Sequence, residues 1–318
     1  MIGDVDALAA GREPGLRPKL LGVPIPEPVV SLGRAGFRGL GMATADLRPM
    51  PDFLLIGAKR AGTTSLFFDL LQNPAIMAMF PSARIVPKAR DGKGPHYFDS
   101  EYHRGDRWYR AHFATEWTRR RAARTLGPVV TGEASPYYLF HPLAPARAAQ
   151  ALPDGRFVVL LRDPVQRTIS HYQERRRQQM EPLATLEEAL AAEPTRLHGH
   201  QEALIRGDLA RSYPHEHQGY LLQSRYHLGI RRWLGQIRRD QLLVLDSRDY
   251  YRNPQHTCDL VFDFLGIAGH QIRPAPPRNA TTKTEVDPAT RAFLQDELRD
   301  GVHELQDLLE MRFDWAWV

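Results

Sequence analysis

Four short runs of apolar residues punctuate the chain: Phe53-Leu54-Leu55-Ile56, Val129-Val130-Thr131, Phe157 to Leu161 and Leu242 to Leu245. None of the longer ones alternates with polar residues, which is the pattern of a parallel strand covered on both faces. Between and after them the apolar positions switch to helical spacing. Thr63 to Leu71 follows the first run, Tyr226, Ile230, Trp233, Leu234 and Ile237 precede the fourth, and Leu294, Leu298, Val302, Leu305 and Leu309 line one face of a last helix. Start signals agree with this spacing. Pro164 stands at a first helical position, Thr185 and Glu188 form a capping box, Asn253-Pro254 opens a helix to Leu265, and Asp287-Pro288 opens the last one. Strand and helix alternate, so the pattern predicts an α/β fold with a central, mainly parallel sheet.

The folded part is expected to begin at Pro51 and to run as one domain over 51–318. Residues 1–50, with Pro14, Pro18, Pro24, Pro26 and Pro28, read as a loose basic Pro/Gly-rich leader. They hold no apolar stretch near the ~20 residues that span a bilayer, and no basic start followed by an uninterrupted apolar segment, which makes the cytoplasm the default expectation. Of 318 residues, 42% are hydrophobic and 25% charged, an ordinary globular balance, and the formal charge of +5 favours an anionic ligand. One cysteine, Cys258, can form no internal disulfide and reads as a buried packing thiol. Residues 81–95 form a basic loop carrying Lys88, Arg90 and Lys93.

Two segments carry chemistry. Gly57-Ala58-Lys59-Arg60-Ala61-Gly62-Thr63-Thr64 follows a strand and opens a helix, the setting in which backbone N–H groups and a helix start face an anion. Its glycine spacing matches the ATP-binding loop, but Thr63 stands where that loop has its lysine. The cations Lys59 and Arg60 lie inside the loop instead. The second segment, Phe157 to Tyr172, puts Arg162 at the carboxyl end of a strand, with Arg167 and Ser170 three apart on the next helix, both able to point at one anion. A phosphate site after each of two strands implies a nucleotide phosphorylated at both its 5′ and 3′ positions.

With these motifs the chain resembles the PAPS-dependent sulfotransferases (PAPS is 3′-phosphoadenosine-5′-phosphosulfate), particularly the heparan-sulfate-type branch. The first loop resembles that family's 5′-phosphosulfate loop, and Arg162-Asp163-Pro164 with Ser170 its 3′-phosphate motif. The segments His96 to Asp99, Arg107 to Phe113, Gly132 to Tyr138, Ser224 to Leu234 and Arg312 to Trp317 follow in the family's order. The resemblance implies a P-loop-like three-layer fold, with helices flanking the sheet. It also implies in-line sulfuryl transfer from PAPS to a hydroxyl, on a glycan or glycosylated metabolite, without a metal and with release of 3′-phosphoadenosine 5′-phosphate. Donor contacts would come from Lys59, Arg60, Ala61, Gly62, Thr63, Thr64, Ser65, Arg162, Ser170, Tyr226 and Arg278.

Two departures from the family pattern bear on catalysis. Arg60 stands where the family has lysine, so Lys59 and Arg60 are expected to share the leaving-group role. Gly94 stands where heparan-type enzymes carry a glutamate, which leaves His96 as the base, with Glu133 in reserve or as a structural group. Tyr226 either approaches the nucleotide or packs in the core. Arg119-Arg120-Arg121 and Arg175-Arg176-Arg177 are either solvated helix faces or the lining of a cleft for a polyanion. His198, His200, His215 and His217 lack carboxylate or cysteine partners at ligand spacing, so no metal site is expected. An ATP-dependent P-loop kinase would need a lysine after Gly62. A polyanion- or nucleic-acid-binding protein would leave the two strand-end motifs unexplained, so no nucleic-acid partner is expected.

Overall fold

The computed structural model describes residues 36–80, 93–273 and 286–318, together with the backbone of 19–20 and 23–24. Most of the expected leader, the loop cations Lys88 and Arg90, and the expected donor contact Arg278 lie outside the described residues.

Five strands form one sheet: β1 (Phe53–Gly57), β2 (Ile76–Met77), β3 (Val130–Ala134), β4 (Arg156–Leu161) and β5 (Leu242–Asp246). Their order is β2-β3-β1-β4-β5, and every neighbouring pair is parallel. The apolar runs are buried as their pattern predicts: Phe53 to Ile56 and Phe157 to Leu161 are fully inaccessible. β3 extends further than the expected Val129–Thr131, because Gly132, Glu133 and Ala134 continue it. Gly132 is needed there: a Cβ at this position would strike the Phe53 ring on β1. β2 is too short to leave a sequence signal.

The helices that bear on the site are α1 (Thr63–Leu70), α2 (Pro164–Arg177), α3 (Leu186–Leu197), α4 (Tyr213–His217), α5 (Tyr226–Leu234), α6 (Pro254–Leu265) and α7 (Pro288–Leu309). Their starts use the predicted caps. The side chains of Asp163, Thr185, Asn253 and Asp287 each accept from a backbone N–H of the first turn, and Glu188 completes the capping box. The five apolar residues of α7 are buried, and so is Cys258 on α6.

Packed structure starts upstream of Pro51. Residues 36–43 are helical, Ala45–Leu47 form a 3₁₀ turn with Ala45 buried, and the buried Arg48 guanidinium donates to the carbonyl of Phe113. The expected boundary fell late because a buried arginine on a carbonyl leaves no apolar pattern to read. At the other end of the chain, Trp315 Nε1 donates to Asp246 Oδ2 (3.1 Å) and Trp317 Nε1 to Asp163 Oδ2 (3.0 Å), so the closing segment lies across the carboxyl ends of β5 and β4.

Candidate active site

β1 and β4 are neighbours in the sheet, with Gly57 in register with Val159, so the two phosphate motifs emerge side by side. The chain changes direction here: β2 and β3 build out to one side of β1, β4 and β5 to the other. The carboxyl ends beside such a switch are where open α/β sheets bind ligands. The first loop turns through Arg60 (φ 71°) and Gly62 (φ 104°) into α1. The left-handed conformation at Gly62 favours glycine, and a Cβ there would also press on the Tyr251 hydroxyl. Arg162 Nη1 donates to the Arg60 carbonyl (3.1 Å), which fastens the second motif to the first. Arg60 Nε in turn donates to Ser170 Oγ (3.3 Å) on α2.

The cations of this junction are enclosed. Lys59 Nζ donates to the side chain and the carbonyl of Glu216 on α4, both at 3.0 Å, and lies 4.6 Å from the centre of the Tyr137 ring. Arg60 Nη1 pairs with Glu174 (3.0 Å). Lys93 Nζ donates to Thr64 Oγ1 at the start of α1 (2.8 Å). Burial pushes Lys59 below the ordinary lysine value despite Glu216, and pushes Lys93 down to about 8, with the charge of Lys59 acting in the same sense. The site thus holds its cations at a cost of desolvation that an incoming anion would offset. These residues fit phosphate and sulfate groups.

On the far side of β1, the end of β3 holds the candidate base. His96 adopts φ 55°, uncommon for a residue with a Cβ. Three bonds fix it there: Nδ1 with Asp99 Oδ2 (2.9 Å), its N–H to Ser135 Oγ (3.2 Å), and its carbonyl accepting from the Glu101 N–H (2.9 Å). Behind it, Tyr97 stacks on Tyr109 with centroids 4.3 Å apart, so the aromatic segments of the family pattern form the wall that holds the loop. Burial would lower the His96 pKa, but the charge and hydrogen bond of Asp99 outweigh it, and the net shift is upward from 6.5. Glu133 is fully buried and accepts from Ser135 Oγ (2.7 Å) and the Tyr109 hydroxyl (3.2 Å). Burial raises it to about 7 against the hydrogen bonds of Ser135 and Tyr138. Gly94 lies directly over this carboxyl: a Cβ there would meet Ser135 Oγ, the Ala134 carbonyl and Glu133 Oε2.

The sequence-predicted residues divide into two groups. Lys59, Arg60, Gly62, Thr64, Arg162 and Ser170 converge, with Ala61, Thr63 and Ser65 buried in the same turn. Arg167 does not join them. It is fully buried, and its guanidinium donates to Ser224 Oγ (2.6 Å) and to the Tyr220 carbonyl, because α2 turns this face inward. Tyr226 is a core residue whose hydroxyl donates to the Arg162 carbonyl (2.9 Å), so it supports the motif from behind. Arg175 is buried against Glu174 and His217 rather than solvated. Lys93, Glu174, Glu216 and Tyr137 were not predicted. Lys93 is one cation of a basic loop, three residues before His96, while Glu216 reaches the loop from a short helix that leaves no motif. Among the described residues, no group of His, Cys, Asp and Glu could hold a metal ion, and no helix is long and apolar enough to cross a membrane.

A glycine-bounded loop between the central strand of a parallel sheet and a helix, fastened to a second cationic strand end, defines the class: a P-loop-like α/β fold. Within it, the sulfotransferase domain family matches residues 50–275, and the chain belongs to that family. It is 29% identical over 221 residues to the mouse protein named bifunctional heparan sulfate N-deacetylase/N-sulfotransferase 4, covering 70% of this chain and 23% of that one. With human heparan sulfate glucosamine 3-O-sulfotransferase 6 it shares 34% over 147 residues, 46% of this chain and 37% of the relative. The matched region therefore spans well under half of these relatives. A solved sulfotransferase from Alicyclobacillus acidocaldarius superimposes with a TM-score of 0.60 at 27% identity, over 84% of this chain and 98% of its own.

Proposed function

We propose that this chain transfers a sulfuryl group from PAPS to a sugar hydroxyl of a glycan or glycoconjugate. The observation that carries the reading is the junction of the two motifs, where Arg162 bonds the Arg60 carbonyl and Arg60 reaches Ser170. One enclosed surface thereby presents Lys59, Arg60 and Lys93 toward one anion and Arg162 with Ser170 toward another, which suits a nucleotide with phosphate at both ends of its ribose. The glycan acceptor is supported by the heparan sulfate relatives.

In this reading the donor brings an activated sulfuryl group on its 5′-phosphate. The loop N–H groups of Ala61 to Ser65 and the helix start of α1 hold that phosphate, and Lys59 and Arg60 offset charge that develops on it. Arg60 exchanges Glu174 for the donor as it enters, while Lys59 stays paired with Glu216. His96 takes the acceptor proton at Nε2, because Nδ1 is engaged by Asp99. Glu133, through Ser135, holds the backbone of His96 in place.

The test is calorimetric titration with 3′-phosphoadenosine 5′-phosphate and, as control, ATP with magnesium. The wild type is expected to bind the bisphosphate without added metal, and Arg162→Ala to weaken it by about tenfold or more. Preference for ATP with magnesium would sink the proposal. Transfer of labelled sulfate to undersulfated heparan oligosaccharides tests the acceptor class.

A further inference from the structure

The loop that delivers His96 also delivers a cation to the opposite half of the reaction. We propose that Lys93 is the proton donor to the phosphate oxygen that leaves the sulfuryl group, a catalytic residue that supplies the proton neither cation of the phosphate loop is placed to give. The assignment rests on the sulfotransferase reading above.

Elimination begins with the loop itself. Arg60 carries a guanidinium, which stays protonated through the accessible pH range and cannot act as an acid. Lys59 is committed: two bonds to Glu216 and the Tyr137 face hold its ammonium, and loss of its proton would leave Glu216 buried without its counter-charge. Lys93 is held differently. Its amine donates to a neutral hydroxyl, Thr64 Oγ1, in the first turn of α1 (2.8 Å), so it stands at the mouth of the phosphate cradle. Its backbone is fixed as well, since its carbonyl accepts from the Ala134 N–H at the end of β3 (2.7 Å).

Burial, more than the charges that face it, favours release of the Lys93 proton. Lys59 and Arg60 repel it from the loop, while Glu174 on α2 and Glu133 on β3 attract it; burial is the largest influence, and the balance brings the amine down to about 8. At neutral pH it still carries its proton and loses it readily, the condition for general acid catalysis. In the step itself, the acceptor oxygen forms a new S–O bond and its proton passes to His96. The S–O bond to the 5′-phosphate breaks with its electron pair on the phosphate oxygen, and that oxygen takes a proton from Lys93. The amine and the imidazolium then exchange protons with solvent.

Three measurements on Lys93→Arg and Lys93→Met test the assignment: binding of 3′-phosphoadenosine 5′-phosphate, steady-state release of sulfate from PAPS into water (which needs no identified acceptor), and a lysine-methylene carbon NMR titration of the wild type. In the wild type kcat/KM is expected to fall as pH rises through about 8, and one lysine resonance of the free protein to titrate there and to move upward when the bisphosphate binds. Lys93→Arg should bind the bisphosphate within about threefold of wild type. Its kcat should fall on the order of 100-fold, and its kcat/KM should show no alkaline decline near pH 8.

A Lys93→Arg or Lys93→Met kcat within about threefold of wild type would overturn the assignment. So would an alkaline limb that survives in Lys93→Arg, because another group would then be its source. If both variants fail to fold, the NMR titration decides: a Lys93 amine that stays charged to pH 10 or beyond, near the free-lysine value, refutes the proposal. Absence of bisphosphate binding by the wild type would instead remove the sulfotransferase reading itself, so the two failures are distinguishable.

Discussion

With His96 as the proposed base, Asp99 sets the pH at which it becomes available. A base works in its unprotonated form, and Asp99 holds His96 above 6.5 although burial alone would lower it. Activity is therefore expected to rise with pH through a midpoint above 6.5. Asp99→Asn should move that midpoint down and lower kcat by about tenfold, as the ring loses its orienting partner. An unchanged acidic limb in Asp99→Asn would remove His96 from the role. The neighbouring Gly94 shows how a missing family carboxylate is accommodated. The space that its side chain would enter already holds Glu133 Oε2 and Ser135 Oγ. Installing the carboxylate by Gly94→Glu is expected to destabilise the protein by roughly 1–3 kcal/mol through overpacking and to reduce activity. Thermal unfolding of the variant checks the first effect, and a gain in sulfate transfer would contradict the second.

At the scale of elements, α2 carries the second motif, and a single side chain fixes where it starts. Asp163 accepts from the Gln166 N–H (3.0 Å) as N-cap and from the Trp317 indole (3.0 Å). Asp163→Ala should cost about 1–2 kcal/mol for the cap alone and weaken bisphosphate binding, because Ser170 rides on this helix. Denaturant unfolding and calorimetry report the two effects separately, and unchanged binding would show that the cap does not position Ser170. Such elements were legible in the sequence because caps and apolar runs are local: Pro164, Thr185, Asn253 and the strands β1, β4 and β5 stand where the pattern put them. β3 was shortened in that reading because Gly132 and Glu133 interrupt its apolar run. Arg167 was misdirected because helical spacing shows that two residues share a face, while which face is buried depends on Ser224 and Tyr220, far along the chain. That the two proposed phosphate segments follow strands was readable for the same reason as the caps. Glu216 and Lys93 were not, since their roles arise only when α4 and the loop before His96 reach the end of β1.

For the whole molecule, the order of strands has a consequence for folding. β1 lies between β3 and β4, with Phe53 paired to Gly132 on one side and to Arg156 on the other. Both partners are distant in sequence and both pairings are parallel, so two long chain segments must close before the most apolar strand is covered. Until then Phe53 to Gly57 is a ribbon with two open edges, the form of strand most prone to pair with another chain. The loop proposed to hold the donor hangs from this strand, so its binding surface cannot be acquired by stages. Refolding from denaturant should restore the binding site only when the central three strands have come together, and chains caught before that point will be lost to association in proportion to their concentration.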